Sequence, residues 1–296
     1  MPAFDFETPE PILATATLHL GCVRVTASDR GTATVTVRPK DSRDACDVAT
    51  AGLARAEYAA GEMVISALRT NGLPGSGAVL IDIELPSDSR MHMDALSADF
   101  HSTGRLGESR ISTGCGHIRL DRSGPAHLSS ALGNVSAEQV AGPARIDANC
   151  GDVHIRRIDG TAELTRSIGN TRIDRVTGDV RTTTNSGDLR IDAADAGVEA
   201  RAAQGDIRIG RTGRGRLDLE TASGRIEVGL PGGIAVGLDL DSHVGTVYRS
   251  LDLVGGAAEA PGAMEAPGTA VQLRARTIIG DIVVRRVEPG REQEQR

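Results

Sequence analysis

The sequence predicts an all-β protein: a parallel two-sheet β-solenoid with about 18 residues per coil, nine-residue half-coils, and non-repetitive β caps at both ends. Three observations predict it. A phrase Gly-x-h-x-h, with h an aliphatic residue, recurs at Ser89, Ala98, Gly107, Gly116, Gly124, Gly133, Gly142, Gly151, Gly160, Gly169, Gly178, Gly187, Ala196, Gly205, Gly215 and Gly224, and thirteen of its fifteen intervals are nine residues. Within each unit the second and fourth residues after the frame position are mostly apolar and their neighbours mostly polar, the period of a strand with one buried face. The chain also has 36 Gly but no Trp, two Tyr and three Phe. Aromatics fill thick cores, so their scarcity fits a thin core between two close sheets.

Taken in order, residues 1–88 lack the phrase but read as a β cap segment. Alternating runs at 12–20, 23–27, 32–38, 63–68 and 79–85 are separated by turn residues such as Gly21 and Gly61. Part of 47–60, rich in Ala, Leu, Arg and Glu, is expected to form one short helix, and 71–77 (NGLPGSG) a flexible loop. A solenoid end needs covering, which is the role expected of this segment.

Residues 89–229 form the repeat region. Nine residues hold one strand and one turn, so alternate units stack into two sheets. One sheet points Phe100, Ile118, Val135, Val153, Ile207 and Ile226 inward; the other supplies Ile111, Leu128, Ile146 and Leu164, with the small residues Ser109, Ala126, Ala144 and Ala162. Large against small lets the sheets interlock. Glycine suits the corners because it takes positive φ without steric cost.

After Gly229 the phrase weakens, and Gly280-Asp281-Ile282-Val283-Val284 restores it once. Residues 230–284 are therefore expected to be closing strands. Between them 255–268 (GGAAEAPGAMEAPG), poor in residues that could bury a face, reads as a disordered loop, and 285–296 as a disordered tail.

Charge and motifs exclude several function classes. A formal net charge of −7 argues against nucleic-acid binding, which needs a basic surface. The opening MPAFDFETPEPIL has neither the basic nor the apolar region of a secretory signal, and no run of about 18 apolar residues could span a bilayer. The expectation is a cytoplasmic protein with no membrane span. The four cysteines, Cys22, Cys46, Cys115 and Cys150, show no metal-type spacing. Cys115 and Cys150 fall at equivalent corners two coils apart, about 9.6 Å at the strand spacing, beyond disulfide reach.

Calcium is the first chemistry to weigh, because nine-residue Gly/Asp repeats also describe the calcium-binding β-roll. Here each corner offers one carboxylate at most, as at Asp152, Asp188 and Asp206, whereas calcium takes six or more oxygens. These residues, with Asn134 and Asn170, read as corner side chains bonded to nearby backbone. His92, His101, His127 and His154 fall on outward positions, two or more coils apart within each sheet, so no shared metal is expected. No catalytic triad, carboxylate pair, P-loop or dinucleotide fingerprint follows from the spacing, so no enzyme, cofactor or metal is expected. Arg172, Arg190 and Arg208 stack at one outward position of successive coils, with Arg119 at an equivalent one. Asp121, Asp174 and Asp192 stand two residues beyond Arg119, Arg172 and Arg190, which suggests self-paired charges on a solvated face. Arg208 lacks that carboxylate, and with Arg211, Arg214 and Arg216 it forms a basic patch, the candidate surface for a protein partner.

The phrases NSGDLRI, AQGDIRI and ASGRIEV, the opening TATLHLGCVRVTASDR and the late TIIGDIVVRR resemble the bacterial "putative adhesin" family of β-strand-repeat proteins of unknown function. The resemblance covers nearly the whole chain and implies a parallel β-solenoid without known enzymatic activity; it carries no catalytic motif to any residue. A non-catalytic scaffold or protein-binding module is the function expected. The alternatives are a self-assembling structural protein like the bactofilin β-helices, and a surface adhesin exported by a non-classical route.

Overall fold

A computed structural model of the chain describes residues 2–68, 77–232, 235–250 and 271–287. Its described residues form 26 strands and one helix, in an all-β parallel solenoid. The chain divides into two compact units, Met1–Ser167 and Ile168–Arg296.

In the first unit the strands Ser109–Cys115, Ala126–Leu132 and Ala144–Cys150 stack in parallel register, and so do Ile118–Ser123, Val135–Val140 and Val153–Ile158. Leu128 faces both Ile111 and Ile146 across strands, and Val135 faces Ile118 and Val153. The register step is 17 or 18 residues, the coil length read from the sequence. All the inward residues named above for this unit are buried, as are the small ones Ser109, Ala126, Ala144 and Ala162.

Residues 1–88 do more than cap. Leu13–Ser28 is a single 16-residue strand that pairs in parallel with Arg90–Thr103 on one side and with Glu62–Ala67 and Ala78–Pro86 on the other. It is a complete coil, bent at Gly21, whose φ of +152° keeps its Cα beside the Val79 carbonyl; a Cβ there would lie 1.9 Å from that oxygen. The coil 62–86 in turn is covered by antiparallel strands: Arg55–Ala59 on Glu62–Ala67, Thr32–Pro39 on Ala78–Pro86, and Ala3–Glu7 on Thr32–Pro39. The helix is Ala45–Leu53, capped by Asp44, and residues 55–59 of the stretch expected to contain it are strand. Asp47 is buried because its carboxylate accepts from Asp41 N at 2.9 Å and Ala78 N at 2.6 Å, tying the helix to the sheet. Phe6 and Tyr58 meet here at 5.7 Å between ring centroids, so the few aromatics serve the cover more than the coils.

The second unit stacks Val180–Ser186, Val198–Gln204 and Gly215–Ser223 in one sheet and Thr171–Val176, Leu189–Ala194, Ile207–Thr212 and Ile226–Pro231 in the other. The order then departs from the chain. Gly215–Ser223 and Ile226–Pro231 pair next with Val271–Ile279 and Ile282–Val287, and only beyond these lie Val236–Val244 and Val247–Ser250. The C-terminal coil thus sits inside the stack, bent at Gly280, whose φ is +148° and whose added Cβ would lie 2.0 Å from the Gly224 carbonyl oxygen. Strand Ile282–Val287 runs three residues into the expected tail, because Arg285 and Arg286 align with Gly229 and Leu230 and Arg286 donates to the Pro231 carbonyl at 2.6 Å. The loop expected at 255–268 and the rest of the tail lie outside the described residues, as does most of 71–77.

Candidate functional site

The outer faces are regular because the coils are. Each half-coil of the sheet containing Ile207–Thr212 turns two successive residues outward, at Asp174-Arg175, Asp192-Ala193 and Gly210-Arg211, between buried neighbours. The register skips the first of each pair, as at a β-bulge. Alignment places Arg172 beside Arg190, Arg190 beside Arg208, and Arg208 beside Glu227.

Most of this ladder is self-paired. Arg172 binds Asp174 at 2.8 Å and Asp192 at 2.9 Å, and Arg190 binds Asp192 at 2.6 Å. The hydrogen bond to Asp174, then the charges of Asp192 and Asp174, raise the Arg172 pKa. Arg119 breaks the expectation: the Asp121 carboxylate accepts instead from the Gly104 backbone N–H at 2.8 Å, one coil back.

At Arg208 the acidic position is Gly210, yet Arg208 is not unpaired. Glu227, from the next coil, stands 3.7 Å away and also takes Arg285 at 2.8 Å. Arg216 meets Asp218 at 3.4 Å. Arg211, half-buried, and Arg214, exposed, have no carboxylate within 4 Å among the described residues. Arg208 and Arg211 stand on Ile207–Thr212 in one sheet, Arg216 on Gly215–Ser223 in the other, and Arg214 between the two strands. Reasoning from spacing alone missed Glu227 and Arg285. The signal for Glu227 was its place 19 residues after Arg208, one coil on; that for Arg285 lay in the restored phrase at Gly280.

Corner side chains serve the backbone. A side-chain oxygen accepts the backbone N–H of the corresponding corner one coil on at several of them: Asp99 from His117 at 2.8 Å, Asn134 from Asp152 at 2.9 Å, Asn170 from Asp188 at 3.1 Å, Asp188 from Asp206 at 2.9 Å. A second ladder uses inward hydroxyls, with Thr113, Ser130, Thr221 and Thr277 donating to the carbonyls of Ala98, Gly116, Gly205 and Gly224. Oxygens bound to backbone at both levels leave a poor cage for calcium. Among the described residues no three His, Cys, Asp or Glu are grouped to hold a metal. His92 and His127 are separated by Arg110, and His101 and His154 by Arg119 and Ser136. Leu132 stands between Cys115 and Cys150, and all four cysteines are free.

Two features were not anticipated. Arg166 is 4% exposed at an inward position, and burial lowers its pKa against the raising influence of Asp152. A trough of about 490 Å³ crosses the first unit where outward residues are short, including Ser112, Gly114, Ser129 and Ala131. Its Asp147 is held by His127 and Arg145, each at 3.2 Å.

This repeated, corner-bonded stack with a charged outer face defines a β-solenoid. The chain belongs to the Toastrack DUF4097 family, whose model matches residues 75–250. Among solved structures it is similar to a protein from Parabacteroides distasonis named a putative lipid binding protein, at 13% identity over 97% of this chain and 96% of that one, with a TM-score of 0.43. A putative adhesin from Bacteroides fragilis shares 12% identity over 96% of both chains, with a TM-score of 0.34. A putative cell adhesion protein from Clostridium sporogenes shares 9% over 97% and 99%, with a TM-score of 0.19. No curated protein matches the sequence significantly. Among the described residues no helix is long and apolar enough to cross a membrane.

Proposed function

We propose that this chain is a non-catalytic binding module whose second unit engages an acidic surface of a protein partner through Arg208, Arg211, Arg214 and Arg216, with Arg285 completing the patch. The observation that carries this reading is a change between successive coils of the second unit. Arg172 and Arg190 are neutralised by Asp174 and Asp192, whereas Arg211 and Arg214 have no such partner among the described residues. Cations released from internal pairing favour an acidic partner and speed its approach. The engagement of the corner side chains Asn134 and Asp188 by backbone supports the non-catalytic part of the reading.

The test compares affinity capture from the cells of origin by the native chain and by Arg211→Glu/Arg214→Glu, with each captured protein then titrated in purified form. An acidic protein bound by the native chain, lost in the variant and weakened by salt supports the reading; identical binding to both chains overturns it. Cytoplasmic residence is part of the same proposal, and fractionation checks it: protein in the medium or on the cell surface overturns it and favours the exported adhesin.

A further inference from the structure

Strands Gly215–Ser223, Ile226–Pro231, Val271–Ile279 and Ile282–Val287 each have a hydrogen-bonded neighbour on both sides. Strand Val236–Val244 has one on a single side among the described residues. Val271 N–H donates to the Ala235 carbonyl at 3.1 Å. By the alternation of strand hydrogen bonding, 237, 239 and 241 also face 271–279, and 236, 238 and 240 turn their N–H and C=O groups to the free side. Their side chains are the inward ones. Val236, Leu238 and Leu240 are half-buried, although their partners Val271, Leu273 and Ala275 are at most 2% exposed. Proteins ordinarily blunt such an edge with charge or cover.

Three observations say what fits there. Arg249 occupies an inward column, beside the fully buried Val284. Stacking another whole coil on this end would bury its guanidinium without a partner, so one strand fits and a coil does not. On the outward side Asp239 and Asp241 are exposed. Asp239 meets Arg274 at 3.5 Å and Arg276 at 3.8 Å on the covered side, and Asp241 has no cationic partner among the described residues. The strand already seated on the other side, VQLRARTII, shows the matching pattern, with Val271, Leu273 and Ala275 inward and Arg274 and Arg276 outward. We propose that the edge of 236–244 that has no neighbour among the described residues is a strand-addition site for an extended peptide segment of a partner protein that alternates apolar and basic side chains. Main-chain bonds to 236, 238 and 240 hold the segment, and Asp239 and Asp241 select its charge.

The probe is a synthetic peptide copying 271–279, VQLRARTII, titrated by fluorescence anisotropy against the full chain, with VQLEAETII as its charge-reversed counterpart. Saturable binding of the first, at least tenfold tighter than of the second, is expected. Asp239→Lys/Asp241→Lys should reverse that preference, and Leu240→Pro, which removes an N–H on the free side only, should abolish binding of both. Equal affinity for the two peptides, no saturation, or binding unchanged by Leu240→Pro overturns the proposal. Hydrogen exchange on the unliganded chain is independent of the peptides: Leu238 and Leu240 amides should exchange faster than those of Leu273 and Ala275, and equal protection would mean that the edge is already covered. A dimer in sedimentation that Leu240→Pro dissociates would assign the edge to a second copy and likewise overturn the peptide reading.

Discussion

The first unit begins and the second unit ends with the same device, and they differ in what lies outside it. At the N-terminal side the coil 13–28 lies between coils 62–86 and 90–106; at the C-terminal side the coil 271–287 lies between 215–231 and 236–250. In both, a coil close to the chain terminus is clamped on two sides, near where fraying usually starts. Beyond the clamp the likeness stops. Coil 62–86 carries antiparallel strands, and Met63, Ile65, Val79 and Ile81 are fully buried. Coil 236–250 carries none among the described residues, and its inward Val236, Leu238, Leu240 and Val247 are half-buried. Clamping a terminus and covering an end are therefore separate tasks, and the sequence performs them with separate segments.

The largest effect expected from this comparison comes from removing a clamped coil. A chain ending at Thr269 loses a coil from inside the stack, so the facing edges of 215–231 and 236–250 are left unpaired. Hydrogen exchange should show lost protection throughout 215–250, and the protein should become prone to aggregation. A chain starting at Asp29 should lose protection in 62–106 for the same reason. If either truncation merely exposes one neighbouring strand, the clamp is an end cap and the comparison breaks.

Next in size is the contrast between the covered and uncovered coils. Ile81→Ala, at a fully buried site, should cost roughly 3 kcal/mol in denaturant unfolding. Leu240→Ala, at a half-buried one, should cost about 1 kcal/mol. Equal losses would mean that something covers 236–250 as thoroughly as the antiparallel strands cover 62–86.

The coils were legible in the sequence because each nine-residue unit repeats the same local problem: a corner, then alternating sides. Ile111, Leu128 and Ile146, or Ile191 and Ile209, could be assigned to the core from period alone. The order of coils was not legible, since a strand's pattern says which face is buried and not which strand lies beside it. Leu13–Ser28 has the alternation of a coil without the repeated phrase, and so resembles a cap. At the other end a signal existed. Arg249 stands at an inward position of 236–250, whereas its counterpart in 271–287 is the fully buried Val284, which marks 271–287 as the inner coil. The basic patch was legible as four arginines, but Glu227 and Arg285 reach it from neighbouring coils and needed that same order.

A smaller effect sharpens the likeness of the two clamped coils. Gly21 and Gly280 both bend a terminal coil under a carbonyl, at 1.9 Å and 2.0 Å from where a Cβ would stand. Gly21→Ala and Gly280→Ala should each cost about 2 kcal/mol, through forced positive φ and backbone displacement. A loss at Gly21 alone would show that the C-terminal corner relaxes, as an uncovered end could.

The smallest effect concerns charge. Each end has cross-strand ion pairs on its outer face: Arg38 with Asp82 at the end that carries antiparallel strands, and Arg274 with Asp239 at the end that carries none among the described residues. The side chains of both pairs are about a third exposed or more, so each should contribute no more than about 0.5 kcal/mol, diminishing as salt rises. Arg38→Gln and Arg274→Gln should therefore shift the unfolding midpoint little and alike. The uncovered end is where a difference would be informative, because Asp239 lies on an edge whose apolar side chains are already half in water. A distinctly larger, salt-sensitive loss for Arg274→Gln would mean that charge between coils replaces part of the missing cover. Equal small losses leave pairing and burial against 271–287 as what holds that coil in place.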